Sequence, residues 1–117
     1  MRRQRAQQWG IRAETLCCFW LRLKGYRIVA RQYRTPVGEI DIVARRGGIL
    51  AVIEVKARAS LTIAAESITP RQRQRIMRAT EVLLRRRPDL VTLQPRFDAM
   101  LVMPRRVPHH IMDAWRK

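Results

Sequence analysis

Three residues in the first half of the chain, Asp41, Glu54 and Lys56, have the side chains and the spacing of a metal-dependent hydrolytic site. Side chains alternate between the two faces of a strand, so Glu54 and Lys56, two positions apart, point to the same face. If Asp41 on the preceding strand faces the same side, two carboxylates and an amine converge. Two carboxylates about 4 Å apart repel each other by on the order of 4 kcal/mol, and a divalent cation removes that conflict.

The chemistry that these groups suit is phosphodiester hydrolysis assisted by Mg²⁺ or Mn²⁺. Mg²⁺ prefers oxygen ligands, typically takes one or two protein carboxylates, and completes its shell with water and phosphate oxygens. Asp41 and Glu54 are the predicted metal ligands, and the main-chain carbonyl of Val55 is a candidate third ligand. Lys56 could orient or deprotonate a water for attack and offset the charge that builds on the phosphorus.

A simpler alternative is that Glu54 and Lys56 are neighbours on an exposed strand face and that Asp41 pairs with an arginine, since charged alternation on a sheet face is common. The apolar run from Ile49 to Ile53 argues against it, because such a run is typical of a central strand covered on both faces. Charges there are costly unless they are paired or bound to a metal. The sequence therefore favours a functional site.

The charge of the chain indicates the partner. Lys and Arg number 25 against nine Asp and Glu, a net charge of +16, and nearly all of the positive charge is arginine. This imbalance predicts attraction to a polyanion, with nucleic acid favoured over the alternative of a merely soluble basic surface. The residues predicted to contact phosphate follow Pro70 on one helix and are Arg71, Arg73, Arg75 and Arg78. The alternative is that these arginines form a solvated helical face.

The hydrophobic pattern predicts one α/β domain over residues 1–117, with a mixed sheet flanked by helices. Ile40, Ile42 and Ala44 are expected on one face of the second strand, and the fourth strand is expected to run parallel to the third. A polar link is expected over residues 60–66. The predicted elements are a helix over 4–24, strands over 26–34, 39–45 and 49–58, a helix over 70–87, a strand over 96–103, and a short strand or turn within 107–117.

Other features bear on location and packing. No apolar run approaches the roughly 20 residues that span a bilayer, and the basic amino terminus lacks the apolar stretch of a signal peptide, so no membrane partner and a cytoplasmic location are expected. The tryptophans Trp9, Trp20 and Trp115 are predicted to be core residues in preference to platforms for base stacking.

Three segments carry a family resemblance: residues 38–44 (GEIDIVA), residues 52–58 (VIEVKAR) and the Arg-Phe-Asp run over 96–98. Together with the first helix and the last predicted strand, they resemble the YraN-like family of predicted nucleases. That family is similar to Holliday-junction resolvases of archaeal type. The resemblance implies a restriction-endonuclease-like fold, Mg²⁺-dependent hydrolysis of DNA, branched DNA as a candidate substrate, a place in DNA repair or recombination, and a possible homodimer.

By position, the resemblance implies that Asp41 and Glu54 are metal ligands and Lys56 is the catalytic lysine. It also implies that Glu14, on the first helix, helps to complete the metal site. Two further acids match retained positions: Glu39, which could equally pair with an arginine, and Asp98, for which a structural salt bridge or turn is the alternative. Two rival functions stay open, a nucleic-acid-binding protein of this fold with little or no cleavage, and a basic ribosome-associated protein.

Overall fold

The computed structural model describes residues 2–116, with the side chains of residues 12–64 and 66–116. Eight helices and strands and one 3₁₀ turn, Pro88–Leu90, make up this part of the chain. Their bounds are α1 Arg2–Leu23, β1 Arg27–Thr35, β2 Gly38–Arg46, β3 Ile49–Ala57, α2 Leu61–Glu66, α3 Pro70–Arg86, β4 Gln94–Val102 and β5 His109–Trp115.

The five strands form one mixed sheet in the order β1-β2-β3-β4-β5. Neighbouring strands are antiparallel except β3 and β4, which are parallel because α2 and α3 cross between them. The predicted α/β class, order of elements and parallel crossover are confirmed. The polar link contains a helix that the sequence does not predict: residues 61–66 form the short helix α2, whose first turn is capped by the Ser60 hydroxyl accepting the Ile63 N–H.

The sheet is covered on both faces, and β3 is buried on each of them. The α3-side core contains Val52 of β3 with Leu83 of α3, whereas the α1-side core contains Ile53 of β3 with Leu21 of α1. This confirms β3 as a central strand. Trp115 is a core residue of the α3 side, as predicted, and Trp20 packs partly buried on the α1 side; the side chain of Trp9 lies outside the described residues.

The alternation along β2 breaks at Asp41. Ile40 packs in the α3-side core whereas Ile42 and Ala44 pack in the α1-side core, so the expectation that all three share a face is wrong. Between the β1–β2 pairs that flank this point, Gln32 of β1 has a positive φ of 47°, which interrupts the regular pleat. The irregularity turns Asp41 out of the position that strict alternation assigns to it.

Helix α3 lies unusually close to β2. A Cβ at Gly38 would stand 2.9 Å from the Arg75 carbonyl oxygen, so only glycine allows this approach. The amino-terminal half of the arginine-rich helix is thereby fixed over the strand that carries Asp41. None of the helices in the described part of the chain has both the length and the apolar composition needed to cross a membrane.

Candidate active site

The site begins where β2 and β3 separate. Their backbone pairing ends at Ile42 and Ile53, but β3 continues for four more residues. There the Val55 N–H donates to the Asp41 carboxylate, Oδ2, at 2.8 Å. The side chain of Asp41 thus occupies the place on the β3 edge where a backbone carbonyl of β2 would otherwise lie. In an extended strand the N–H and C=O of one residue share an edge, so the Val55 carbonyl faces the same side.

Glu54 and Lys56 lie together on the face of β3 that α3 covers. The Lys56 amine, Nζ, is 3.3 Å from the Glu54 carboxyl oxygen Oε1, and both side chains are largely buried. The same Oε1 accepts a hydrogen bond of 2.8 Å from the side-chain amide of Gln72, in the first turn of α3. The carboxyl groups of Asp41 and Glu54 also interact directly. The structure therefore brings Asp41, Glu54 and Lys56 together, as their spacing predicts.

Gln72 is the residue of this site that sequence reasoning missed. Its own N–H is accepted by the hydroxyl of Thr69, the cap of α3, so it occupies a fixed position in the first turn. The Thr-Pro start of α3 predicts that cap. The pairing of Gln72 with Glu54 depends on where α3 lies on the sheet, which local sequence does not encode.

Burial controls the protonation of the two carboxyl groups. Removal from water and the nearby Asp41 together raise the pKa of Glu54 to about 8, although Lys56 opposes the rise. Burial likewise raises the pKa of Asp41, but the hydrogen bond from the Val55 N–H opposes the rise. Near neutral pH the pair consequently shares a proton that resides on Glu54.

The donor set suits Mg²⁺ or Mn²⁺ better than a softer metal, because it consists of oxygen atoms: two carboxylates and the Val55 carbonyl. Within residues 12–64 and 66–116, no group of three or more His, Cys, Asp and Glu side chains is arranged to hold a metal. A site with two protein carboxylates is nonetheless ordinary for Mg²⁺, which keeps several waters.

Glu14 lies on α1, which covers the face of the sheet opposite to the one that carries Lys56. It is buried, and its carboxylate accepts Arg31 Nε at 3.2 Å and the amide of Gln32 at 3.5 Å. Burial raises the pKa of Glu14, and the charge of Asp41 adds to the rise. Glu14 is therefore within electrostatic reach of Asp41 but engaged by Arg31, and its part in metal binding stays a prediction.

Each of the two other acids is paired with an arginine outside this group. Glu39 is exposed, and its carboxylate lies 3.9 Å from Arg34, so it pairs with an arginine. Asp98 is fully buried and faces the α1 side, because its parallel neighbour Ile53 belongs to that core. Glu54 points to the opposite face, toward α3. Asp98 is thus separated from the candidate site by the sheet.

The arginines predicted to contact phosphate divide into two groups. Arg71, Arg75 and Arg78 are exposed on α3. Arg73 is only partly exposed, and its guanidinium lies 5.8 Å from the centre of the Trp115 ring. Three of the four therefore present charge to solvent beside the candidate site, and Arg73 packs against β5.

The raised pKa of Glu54 predicts how the stability of the metal-free protein depends on pH. Since folding raises this pKa from 4.5 to about 8, the stability that it contributes is complete below the lower value and is lost as the pH rises through the higher one. We expect the free energy of unfolding to fall by about 1 to 3 kcal/mol from about pH 5 to about pH 8, and Glu54→Gln to remove most of that fall. Urea unfolding in EDTA measures both.

The matched control is Glu39→Gln, which removes an exposed acid from the strand that carries Asp41. It should follow the pH dependence of the wild type. If Glu54→Gln kept the full dependence, the proton would not reside at this carboxyl pair.

Comparison with known proteins places the chain in a family. Residues 13–102 match the model of the uncharacterised protein family UPF0102. A UPF0102 protein of Parvibaculum lavamentivorans is 56% identical over 95% of this chain and 84% of the relative. Another, of Rhodopseudomonas palustris, is 54% identical over 94% of this chain and 86% of the relative. The matched residues include the whole candidate site, and the chain belongs to UPF0102, the YraN-like family that its motifs resemble.

Proposed function

We propose that this protein is an endonuclease that hydrolyses DNA phosphodiester bonds with Mg²⁺ or Mn²⁺, and that branched DNA is among its substrates. The observation that carries the proposal is the buried contact between Asp41 and Glu54 with the Lys56 amine 3.3 Å away. Two carboxyl groups in contact inside a protein are costly, and their position is explained if they serve to bind a cation.

In this proposal Asp41, Glu54 and the Val55 carbonyl hold the metal. When bound, the cation supplies Lewis-acid stabilisation of the charge that develops on the phosphate oxygens. Lys56 carries positive charge at the same place and can orient the attacking water. Gln72 fixes the Glu54 carboxyl through its hydrogen bond of 2.8 Å, so that the oxygen stays directed at the site.

The exposed arginines of α3 would position the nucleic acid by its phosphates. We expect each of Arg71→Gln, Arg75→Gln and Arg78→Gln to weaken binding to duplex DNA and to lower the slope of log affinity against log salt by about 1, because each lost contact releases fewer counterions. Fluorescence anisotropy across a salt series measures the slope. A salt slope equal to that of the wild type in all three variants would remove α3 from the interface.

The direct test is a panel of labelled four-way junctions, flaps, single strands and blunt duplexes, in DNA and RNA versions. Each is incubated with Mg²⁺, with Mn²⁺ or with EDTA. We expect metal-dependent product from branched DNA and none in EDTA. The absence of metal-dependent product from every substrate would overturn the proposal.

A second candidate function is a nucleic-acid-binding protein that retains the fold without cleavage. The observation that favours it is that Glu54 already has two partners, Lys56 and Gln72, so the group is satisfied without a metal. It predicts salt-sensitive binding and no metal-dependent product. Calorimetric titration with Mn²⁺ separates the two functions: a saturable site that Asp41→Asn abolishes supports the nuclease, and the absence of saturation supports the binding protein.

The homodimer stays a prediction, and sedimentation of the protein with and without a symmetric junction tests it. The edge strands β1 and β5 are the parts of the sheet with backbone groups available for pairing with a second copy.

A further inference from the structure

A cavity of about 670 Å³ lies between α3 and the β4–β5 edge of the sheet. Its walls are largely apolar and include Met77, Leu84, Pro95, Phe97 and Trp115. The rings of Phe97 and Trp115 are stacked, with centres 5.7 Å apart and planes inclined by 18°. The volume is within the usual range for pockets that bind small organic groups.

Beside this cavity, two hydrogen-bond donors among the described side chains have no acceptor: one belongs to Trp115, which lines the cavity, and the other to Arg73, which contacts the Trp115 ring. Among the side chains that the structure describes, Arg73 Nε and Trp115 Nε1 are the buried nitrogen or oxygen atoms without a partner. They belong to adjacent side chains, since the guanidinium of Arg73 lies over the Trp115 ring. A buried donor without an acceptor is destabilising, and two of them side by side indicate a ligand that supplies acceptors.

The donors are close to the candidate active site. Arg73 follows Gln72, which holds Glu54, so their Cα atoms are about 3.8 Å apart. Trp115 pairs with Phe97 of β4, which pairs with Val52, two residues before Glu54 on β3. The cavity itself includes Ile49, which lies five residues before Glu54 on β3, a distance of about 16 Å along the strand. A strand of nucleic acid held at Glu54 would therefore bring a nucleotide a few positions away to Arg73, Trp115 and the cavity.

We propose that Arg73, Trp115 and the cavity bind one unpaired nucleotide a few positions from the bond that is cut. The proposal rests on the proposed function and names its substrate class. Both protein groups are donors, so they require the phosphate oxygens, ring nitrogens or carbonyl oxygens that a nucleotide offers. The apolar walls accept the flat base, and a base stacked inside a duplex cannot enter them. The site thus selects nucleic acid with an unpaired nucleotide, such as a bulge, a flap or a junction.

Charge supports an anionic ligand such as a nucleotide over a neutral one. The chain carries a net charge of +16, and the exposed arginines of α3 lie beside Arg73. The two acids on the cavity wall are both paired, which reduces their repulsion of a phosphate. Asp113 forms a salt bridge of 2.6 Å with Arg116, and Glu81 also has a partner.

The test measures binding in EDTA, so that cleavage does not enter. Three labelled DNA probes share one sequence: a blunt duplex, the duplex with one bulged thymidine, and the duplex with an abasic residue at the bulge. The abasic probe keeps the bend and the phosphate but lacks the base. We expect the wild type to bind the bulged thymidine about tenfold more tightly than either other probe, as two additional hydrogen bonds would give.

Two variants remove the donors with little change in volume. Trp115→Phe keeps an aromatic ring and Arg73→Met keeps the aliphatic stem, and each should reduce the preference to about twofold or less. Arg78→Met, an exposed arginine on the same helix, should weaken binding to all three probes equally. If Trp115→Phe does not fold, as judged by circular dichroism, Arg73→Met decides the question.

Equal affinity of the wild type for the three probes would overturn the proposal, and so would a tenfold preference that survives in Arg73→Met. These outcomes are independent of catalysis. If the wild type prefers the bulged probe but shows no metal-dependent cleavage, the nucleotide site is supported and the proposed nuclease activity is overturned. If cleavage depends on Lys56 but the three probes bind equally, the nuclease activity is supported and the nucleotide site is overturned.

Discussion

Replacing Lys56 by alanine should lower metal-dependent cleavage of a branched DNA by at least about 100-fold while leaving binding of the same DNA within a few fold of wild type. The amine contacts the Glu54 carboxyl at 3.3 Å, and only 15% of its side chain is exposed. A charge held in such a place acts on the reacting phosphate far more than on overall affinity, to which the exposed arginines contribute. Single-turnover rates at saturating protein measure the chemical step.

The matched control is Arg58→Ala, which removes an exposed positive charge two residues further along the chain. It should reduce affinity slightly and leave the single-turnover rate near that of the wild type. For the acids, Asp41→Asn should abolish both Mn²⁺ binding and cleavage, whereas Glu39→Gln, on the same strand, should change neither. Cleavage that survives in both Lys56→Ala and Asp41→Asn would show that the reaction occurs elsewhere on the protein.

The sequence predicts the site well where strand alternation decides it. Glu54 and Lys56 are two residues apart on a strand whose apolar run marks it as central, so their shared face follows from the pleat alone. Asp41 is a different case, because alternation on β2 breaks at this residue, beside the positive φ of Gln32. Its contact with the Val55 N–H arises where β2 and β3 separate, and hydrophobic pattern does not locate that point.

Tertiary packing decides the parts that the sequence does not predict. Arg73 occurs in a run of arginines that the sequence predicts to contact phosphate, yet the position of α3 on the sheet turns it toward Trp115. Gln72 meets Glu54 for the same reason. The sequence does not predict the short helix α2, because its six residues are too few to show a helical period. This helix is stabilised by burial of Ala64 and by the Ser60 cap.

The largest effect on stability is expected at Asp98, on the other face of the sheet. Its carboxylate accepts two hydrogen bonds of 2.8 Å from Arg96, contacts His110 Nε2 at 2.8 Å, and accepts the Asp113 N–H at 3.0 Å. Arg96 also donates to the Tyr26 hydroxyl at 2.6 Å. One buried acid thus joins β4 and β5 to the segment after α1. Asp98→Asn leaves the guanidinium of Arg96 without its counter-charge, and we expect a loss of about 3 to 5 kcal/mol in the free energy of unfolding.

The pH dependence identifies the cause of that loss. Burial by itself raises the pKa of Asp98, but the hydrogen bonds from His110, Arg96 and the Asp113 N–H outweigh it and hold the pKa below its usual value of 3.8. Because the folded pKa is depressed, the stability from this group is present above the unfolded value and is lost as the pH falls through the folded one. Wild-type protein should therefore lose stability below about pH 4, and Asp98→Asn should show less of that loss in urea unfolding.

Asp113→Asn is the control, because Asp113 is an exposed acid with a positive φ of 55° that asparagine tolerates. Its stability should stay close to that of the wild type. The same pair of variants also tests whether Asp98 takes part in cleavage. Since the sheet separates Asp98 from Glu54, Asp98→Asn assayed at a temperature where it is folded should cleave at nearly the wild-type rate. A folded Asp98→Asn protein that has lost cleavage would instead connect the buried acid to the chemistry on the opposite face.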